Sequence, residues 1–293
     1  MKRRGIWIVG WLCLAAVCCR AGNDRALLVG ISCYPPHSGW MPIHADNDLA
    51  LLAGVLDRLR FPKETRRMLR DEEATYGAIV GELRRLADEA AEGDRVWIHF
   101  SCHGQQMEDD NGDEPDGLDE ALVPYDAQMY YRKGVYEGEK HLRDDELERY
   151  LNVIRRKLGE SGMLRVSLDA CHSGSATRGE EEDMFMRGAY VIFSADPGFL
   201  PPEVPKGREA DVPLAKEKGM SPLTVVSACR ADQNNYEYRA EDGKWYGTLT
   251  YAISRTLSSG RAWPEPQEWI RALRKAMSRL TDRQRPVFET TQE

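Results

Sequence analysis

The apolar positions of this chain follow two different periods. Four short runs, RALLVGI at Arg25 to Ile31, RVWIHFS at Arg95 to Ser101, MLRVSLDA at Met163 to Ala170 and LTVVSAC at Leu223 to Cys229, predict strands buried within a sheet. Between them the apolar residues return every three or four positions. The segment Asp46 to Arg60 puts Leu49, Leu52, Ala53 and Leu56 on one helical face, with Asp46 or Asn47 able to cap it. Further helices are predicted from Tyr76 to Ala91, from Asp144 and Asp145 onward with Leu147, Leu151 and Ile154 buried, and over Tyr246 to Leu257 and Pro266 to Leu280. Strands alternating with helices predict an α/β fold in three layers, a mostly parallel sheet between two layers of helices.

Residues 177–222 break this pattern. They are rich in charge, Pro and Gly around a short apolar AYVIF, so they read as an insertion in a single domain, either a functional loop or a solvated surface. The amino terminus is different again. Lys2, Arg3 and Arg4 precede an apolar stretch from Ile6 to Cys19, too short to span a bilayer comfortably but suited to a secretory signal cleaved after Ala21. The expectation is a signal peptide over 1–21, a single domain over 22–293, and a secreted or periplasmic protein with no stable membrane span after signal removal. Lipidation at Cys18 or Cys19 and an uncleaved signal anchor are the alternatives.

Composition narrows the class. With 293 residues and 42% hydrophobic content the chain can bury one substantial core, and a mean hydropathy of -0.56 excludes a polytopic membrane protein. A net charge of -8 argues against nucleic acid as a partner. Beyond the signal, Cys33, Cys102, Cys171 and Cys229 are too scattered for a disulfide framework.

The candidate chemistry sits where two of the strands end. FSCHGQQ carries His103 and SLDACHSGS carries Cys171, and carboxyl ends of strands are where open α/β sheets bind ligands. An imidazole beside a thiol makes the thiol a competent nucleophile. Gly104 and Gly174 let a substrate backbone come close, and N–H groups there could stabilise an oxyanion. A zinc site built on Cys102, His103, Cys171 and His172 fits poorly, because neighbouring residues of an extended chain point to opposite sides and no CxxC spacing is present. The same alternation puts Ser101 on the side of His103 and Asp169 on the side of Cys171, which makes the cleft acidic.

These segments carry a family resemblance. FSCHGQQ, DDNGDEPDGLDEALVPYD, HLRDDEL, LDACHSGS and VVSACRADQ stand in the order seen in metacaspases and bacterial caspase-like peptidases, which the chain resembles from Arg25 to Leu257. The resemblance implies the caspase-like α/β/α fold and a cysteine endopeptidase that needs no cofactor. It implies His103 as general base, Cys171 as nucleophile, and the N–H groups of Gly104 and Cys171 as the oxyanion site. Asp48, Ser101 and Asp169 would form the pocket for the residue before the cut bond, favouring protein or peptide substrates with Arg or Lys there. Calcium is a further implication: Asp119, Asp144 and Asp145 match three ligand positions, with Arg178 standing at the fourth. The reading from another class is an inactive caspase-like module whose acidic cleft grips basic segments.

Overall fold

The computed structural model describes residues 22–112, 114–171, 184–202, 211–258 and 263–291. The expected signal peptide, Gly174 and Arg178 lie outside the described residues. In chain order the elements are β1 (Asp24–Gly30), α1 (Ala45–Arg58), β2 (Arg66–Arg70), α2 (Tyr76–Glu89), β3 (Arg95–Ser101), β4 (Gly104–Glu108), β5 (Leu118–Leu122), β6 (Leu142–Arg143), α3 (Asp144–Leu158) and β7 (Met163–Asp169). They continue with β8 (Val212–Pro213), β9 (Leu223–Ser227), β10 (Glu237–Arg239), β11 (Trp245–Gly247), α4 (Thr248–Thr256), α5 (Pro266–Leu280) and β12 (Val287–Thr290).

The central sheet runs β2-β1-β3-β7-β9-β12-β8. Pairing is parallel from β2 to β9, and β12 joins β9 antiparallel. The strand alternation divides the core in two. Leu27, Val29, Ile98, Phe100, Leu164 and Val166 face the layer holding α2 and α3, whereas Ala26, Leu28, Trp97 and Phe288 face α1, α4 and α5. Burial of both faces is why β1 reads as an unbroken apolar run. The predicted three-layer α/β/α arrangement is the one observed.

Several boundaries differ from the sequence reading, each for a local reason. Helix α1 starts at Ala45 with His44 as its cap residue, so Asp46 and Asn47 lie in the first turn. The free N–H groups there are met from afar: His44 N–H donates to the Glu237 carboxylate at 2.8 Å and Asp46 N–H to Ser32 Oγ at 2.7 Å. Val55, not Ala53, completes the buried stripe. Helix α2 stops at Glu89, where Asp94 accepts the Ala91 N–H. Tyr246 belongs to the β10–β11 hairpin, and α4 begins only at Thr248.

The parallel register sets up the site. Ser101 and Asp169 are paired neighbours at the carboxyl ends of β3 and β7, and both side chains emerge on the α1 and α4 side. Gly30 ends β1 in the same row, opposite Ser101.

Candidate active site

His103 follows β3 directly and is held on every side. Its backbone N–H donates to Tyr34 Oη at 3.1 Å, and that hydroxyl donates to the Val123 carbonyl. The imidazole stacks on Trp40 at 5.0 Å between centroids and leans on Tyr34 at 5.3 Å. Nε2 lies 2.7 Å from the Met41 carbonyl oxygen, which can only accept, so Nε2 carries the proton. Nδ1 is then the basic nitrogen, and it is buried without a hydrogen-bond partner. Burial lowers the His103 pKa to about 4, so the ring is neutral at neutral pH and free to accept a proton.

Cys171 follows β7 at the equivalent place, fully buried, with Sγ 3.5 Å from the Gln233 carbonyl. The backbone N–H groups of Gly104 and Cys171 converge on a single acceptor, the carbonyl oxygen of Arg187, at 3.2 and 2.8 Å. That convergence is the geometry of an oxyanion site.

The pocket beside them is acidic and closed to water. Asp48 projects from the first turn of α1, Ser101 and Asp169 from the strand ends, and all three are completely buried. Glu237, at the start of β10, adds a third carboxylate whose side chain is also inaccessible. The sequence reading named the first three and missed Glu237. It stands just beyond VVSACRADQ, in a short hairpin strand whose path no apolar periodicity marks.

The start of α4 makes this concentration of negative charge tolerable. Thr250 N–H and Oγ1–H reach the Asp169 carboxylate at 2.7 and 2.6 Å, and Gly247 N–H reaches Asp48 at 3.0 Å. Unpaired N–H groups at a helix start favour anions. Asn235 Nδ2 donates to Asp169 at 2.8 Å, and Ser101 Oγ donates to Asp48 at 2.7 Å. Even so, burial pushes the Asp48 pKa up to about 7, with Asp169 and Glu237 adding to the rise. Gly247 is required here by space: a Cβ on it would lie 2.1 Å from an Asp169 oxygen.

The guanidinium of Arg187 fills this pocket. Nη2 contacts Asp48 at 2.7 Å and Glu237 at 2.8 Å, while Nη1 donates to Ser101 Oγ at 2.6 Å and stands 3.8 Å from Asp169. Arg187 belongs to the region read as an insertion, and it is fully buried together with Ala189 and Phe193. Of that insertion, residues 187–189 and Phe193 are packed inward, whereas residues 195–198 and most of 211–219 are exposed, so both a buried functional stretch and a solvated surface are present.

The expected calcium residues are arranged differently. Carboxylate oxygens of Asp109, Asp110 and Asp119 come within 4.8 Å of one another, a group that does not include Asp144 or Asp145. Arg143 lies on Asp119 and 3.5 Å from Asp110, supplying positive charge where a cation would sit. Asp145 accepts a hydrogen bond from Asn111 at 2.7 Å, and burial pushes Asp144 up to about 6. With Arg143 so placed, the residues do not form a ready oxygen cage.

No disulfide joins any of Cys33, Cys102, Cys171 and Cys229. Cys102 points into the opposite layer, where burial pushes its pKa up to about 12, so it cannot share a ligand set with Cys171. No helix among the described residues is long and apolar enough to cross a membrane.

Comparison with known proteins identifies the family. The model for the metacaspase peptidase C14 domain matches residues 24–178. Metacaspase-1B of Neosartorya fischeri is 27% identical over 291 residues, covering 88% of this chain and 66% of that protein. Metacaspase-2 of Arabidopsis thaliana is 33% identical over 160 residues, covering 53% of this chain and 35% of that protein. The chain thus spans less than two thirds of these relatives. A crystal structure of a Geobacter sulfurreducens protein superposes with a TM-score of 0.61 at 21% identity, covering 92% of this chain and 93% of that one, which supports the fold. The family match begins at β1, takes in both His103 and Cys171, and so the chain belongs to the metacaspase peptidase C14 family.

Proposed function

We propose that this chain is a cysteine endopeptidase that cleaves after Arg, and after Lys less well. The observation that carries this reading is the guanidinium of Arg187 held among Asp48, Asp169, Glu237 and Ser101. Three carboxylates sealed from water need a cation, and a substrate aspartate in the same place would add a fourth negative charge. Arg is favoured over Lys because its two terminal nitrogens engage different partners, a division that a single ammonium cannot reproduce.

The mechanism follows from the placed atoms. His103 Nδ1 takes the Cys171 thiol proton, and the thiolate attacks the carbonyl carbon lying beside it. Negative charge on the carbonyl oxygen meets the N–H groups of Gly104 and Cys171. His103 then passes its proton to the leaving amine, and water hydrolyses the thioester to release the acid and restore the thiol. The Met41 carbonyl fixes the tautomer throughout, and Trp40 and Tyr34 hold the ring. Export follows in this reading from the basic start and apolar stretch of residues 1–21.

The test is hydrolysis of matched peptides ending in Arg, Lys or Asp before a reporter group. The expected order is Arg, then Lys, with Asp uncut. Faster cleavage after Asp would overturn the pocket assignment, and no cleavage with an unlabelled Cys171 after a basic electrophilic probe would favour the inactive binding module.

A further inference from the structure

The cleft holds a stretch of its own chain, and the side chains of that stretch show what the walls accept. Residues 185–187 lie extended along residues 235–237, with Arg187 N–H donating to the Asn235 carbonyl at 2.9 Å, Glu237 N–H to the Phe185 carbonyl at 2.9 Å, and Met186 bridged antiparallel to Tyr236. An extended peptide adding itself to an open backbone is a standard mode of peptide recognition. Side chains two apart on such a strand point the same way, so Phe185 shares the side of Arg187 and Met186 faces the other. Arg187 enters the acidic pocket. Phe185 enters a corner beside it formed by His44 and Trp245, with ring centroids 4.5 and 5.3 Å away and ring planes at 86° and 71° to its own. Near-perpendicular pairs of this kind are a preferred arrangement of aromatic rings.

The walls of this corner are held by groups other than Phe185. His44 precedes the first turn of α1 and is tied twice to the Glu237 carboxylate, by its backbone N–H at 2.8 Å and through Nδ1 at 2.5 Å. Trp245 pairs with Arg239 in the β10–β11 hairpin, and its carbonyl accepts from Asn47 Nδ2 at 3.0 Å. The two wall rings lie 23° from parallel with centroids 6.5 Å apart. All three rings are only partly buried, so the corner opens to water on one side. Glu237 also accepts from Arg187 Nη2, so one carboxylate serves both the corner and the acidic pocket. A site braced in advance loses less on binding.

We propose that the corner of His44 and Trp245 is a substrate subsite that selects an aromatic side chain two residues before the arginine of the cut bond. This rests on the peptidase reading above and narrows its substrates to segments carrying an aromatic residue, any residue, then Arg. A substrate must take the place of residues 185–187. A ring that replaces Phe185 leaves water and recovers both edge contacts, which an alanine at that position leaves unmade. An aspartate there would approach the Glu237 carboxylate beside His44 and meet like charge.

Hydrolysis of four capped tripeptides by the full chain tests this: Phe-Ala-Arg, Ala-Ala-Arg, Lys-Ala-Arg and Asp-Ala-Arg, each followed by the same reporter group. The expected kcat/KM is on the order of tenfold higher for the Phe peptide than for the Ala peptide, and lowest for the Asp peptide. Trp245→Ala should bring the ratio of Phe to Ala down toward one, whereas Trp245→Phe, which keeps a ring in the wall, should retain most of it. Equal rates for Phe and Ala in the wild type would overturn the proposal and leave the peptidase reading standing, since Arg peptides would still be cut. So would a Lys peptide cut faster than the Phe peptide, which would mean that the Glu237 charge governs the corner, or a ratio undiminished in folded Trp245→Ala protein. The wild-type series decides the preference by itself if a variant does not fold. Failure of the wild type to hydrolyse any of the four would remove the peptidase reading and the proposal together.

Discussion

Two clusters of carboxylates among the described residues, those of the acidic loop and of the cleft, are each closed by an arginine of the same chain, and they teach opposite lessons. At the acidic loop Arg143 comes from β6, next to its partner strand β5, and remains partly exposed over Asp110 and Asp119. That pairing is local and partly open to water: Asp119 is buried, but Arg143 is partly exposed and Asp110 largely so. In the cleft the arginine arrives from a distant segment, is wholly inaccessible, and brings its backbone into the oxyanion site. Depth of burial separates a neutralised surface from a pocket that discriminates.

The deepest cut into this contrast is to remove the chemistry beside the buried cluster. Cys171→Ala and His103→Ala should each lower peptide hydrolysis on the order of a thousandfold or more, because nucleophile and base act as one unit. Stopped assays with matched circular dichroism would check it; a folded Cys171→Ala protein with substantial turnover would end the mechanism.

Next in size is the pocket itself. Asp169→Asn should reduce kcat/KM for Arg peptides about a hundredfold, as expected when one partner of a buried charge pair is truncated. Equal losses on a peptide with a neutral residue before the cut bond would show that Asp169 supports the fold instead of reading charge.

Acidity gives a sharper separation. Asp48 titrates near 7 with a guanidinium beside it, and removing that cation raises it further, so the pocket loses negative charge as pH falls through neutrality. His103, at about 4, remains a usable base well below this range. Kcat/KM for Arg peptides should therefore fall roughly tenfold per pH unit on the acid side of about 7, and Asp48→Asn should flatten that limb. Stability has the opposite sign to activity: a carboxyl raised above its unfolded value favours the folded state below about 4, and the benefit is lost as pH rises through about 7. A limb unchanged in Asp48→Asn would assign the titration elsewhere.

The smallest effects belong to the loop cluster. Arg143→Gln should leave Arg-peptide kcat/KM within about threefold, as befits a partly exposed pair. It should also strengthen calcium binding, because it removes a cation from among the oxygens of Asp109, Asp110 and Asp119. Wild-type protein is expected to bind calcium weakly, with partial stimulation at most. Calorimetry on Cys171→Ala and on its Arg143→Gln derivative would decide it, and no heat from either at about 1 mM calcium would leave these aspartates as loop and capping residues.

Much of the site was legible because strand alternation is simple. Ser101 and His103, like Asp169 and Cys171, are two residues apart at strand ends, and the parallel register then sets Ser101 beside Asp169. Asp48 could be named only through the family resemblance, although its place on the stripe with Leu49 and Leu52 explains its burial. Glu237, Trp40 and the Met41 carbonyl were not legible, since each reaches the site from a loop or hairpin whose path no periodicity encodes. Strands β2 and β12 escaped for a related reason. Both are short, and β2 is largely basic and only partly buried, so neither carries an apolar run. Arg187 was visible as one of several basic residues in the irregular region, but nothing in its neighbours distinguished it from Lys216 or Lys218.

The strand order gives the peptide bond after Arg187 a distinctive position. It lies in the crossover between β7 and β9, which are immediate neighbours aligned from Leu164 opposite Leu223 to Leu168 opposite Ser227. Severing the crossover would change the connectivity of the molecule without opening a single rung of that ladder. The base, the nucleophile, Asp48 and Asp169 would belong to one polypeptide, and Glu237, Asn235 and Thr250 to the other. A protein cut there would be an obligate pair whose interface is the interior of a single fold, and neither piece alone would own a complete specificity pocket.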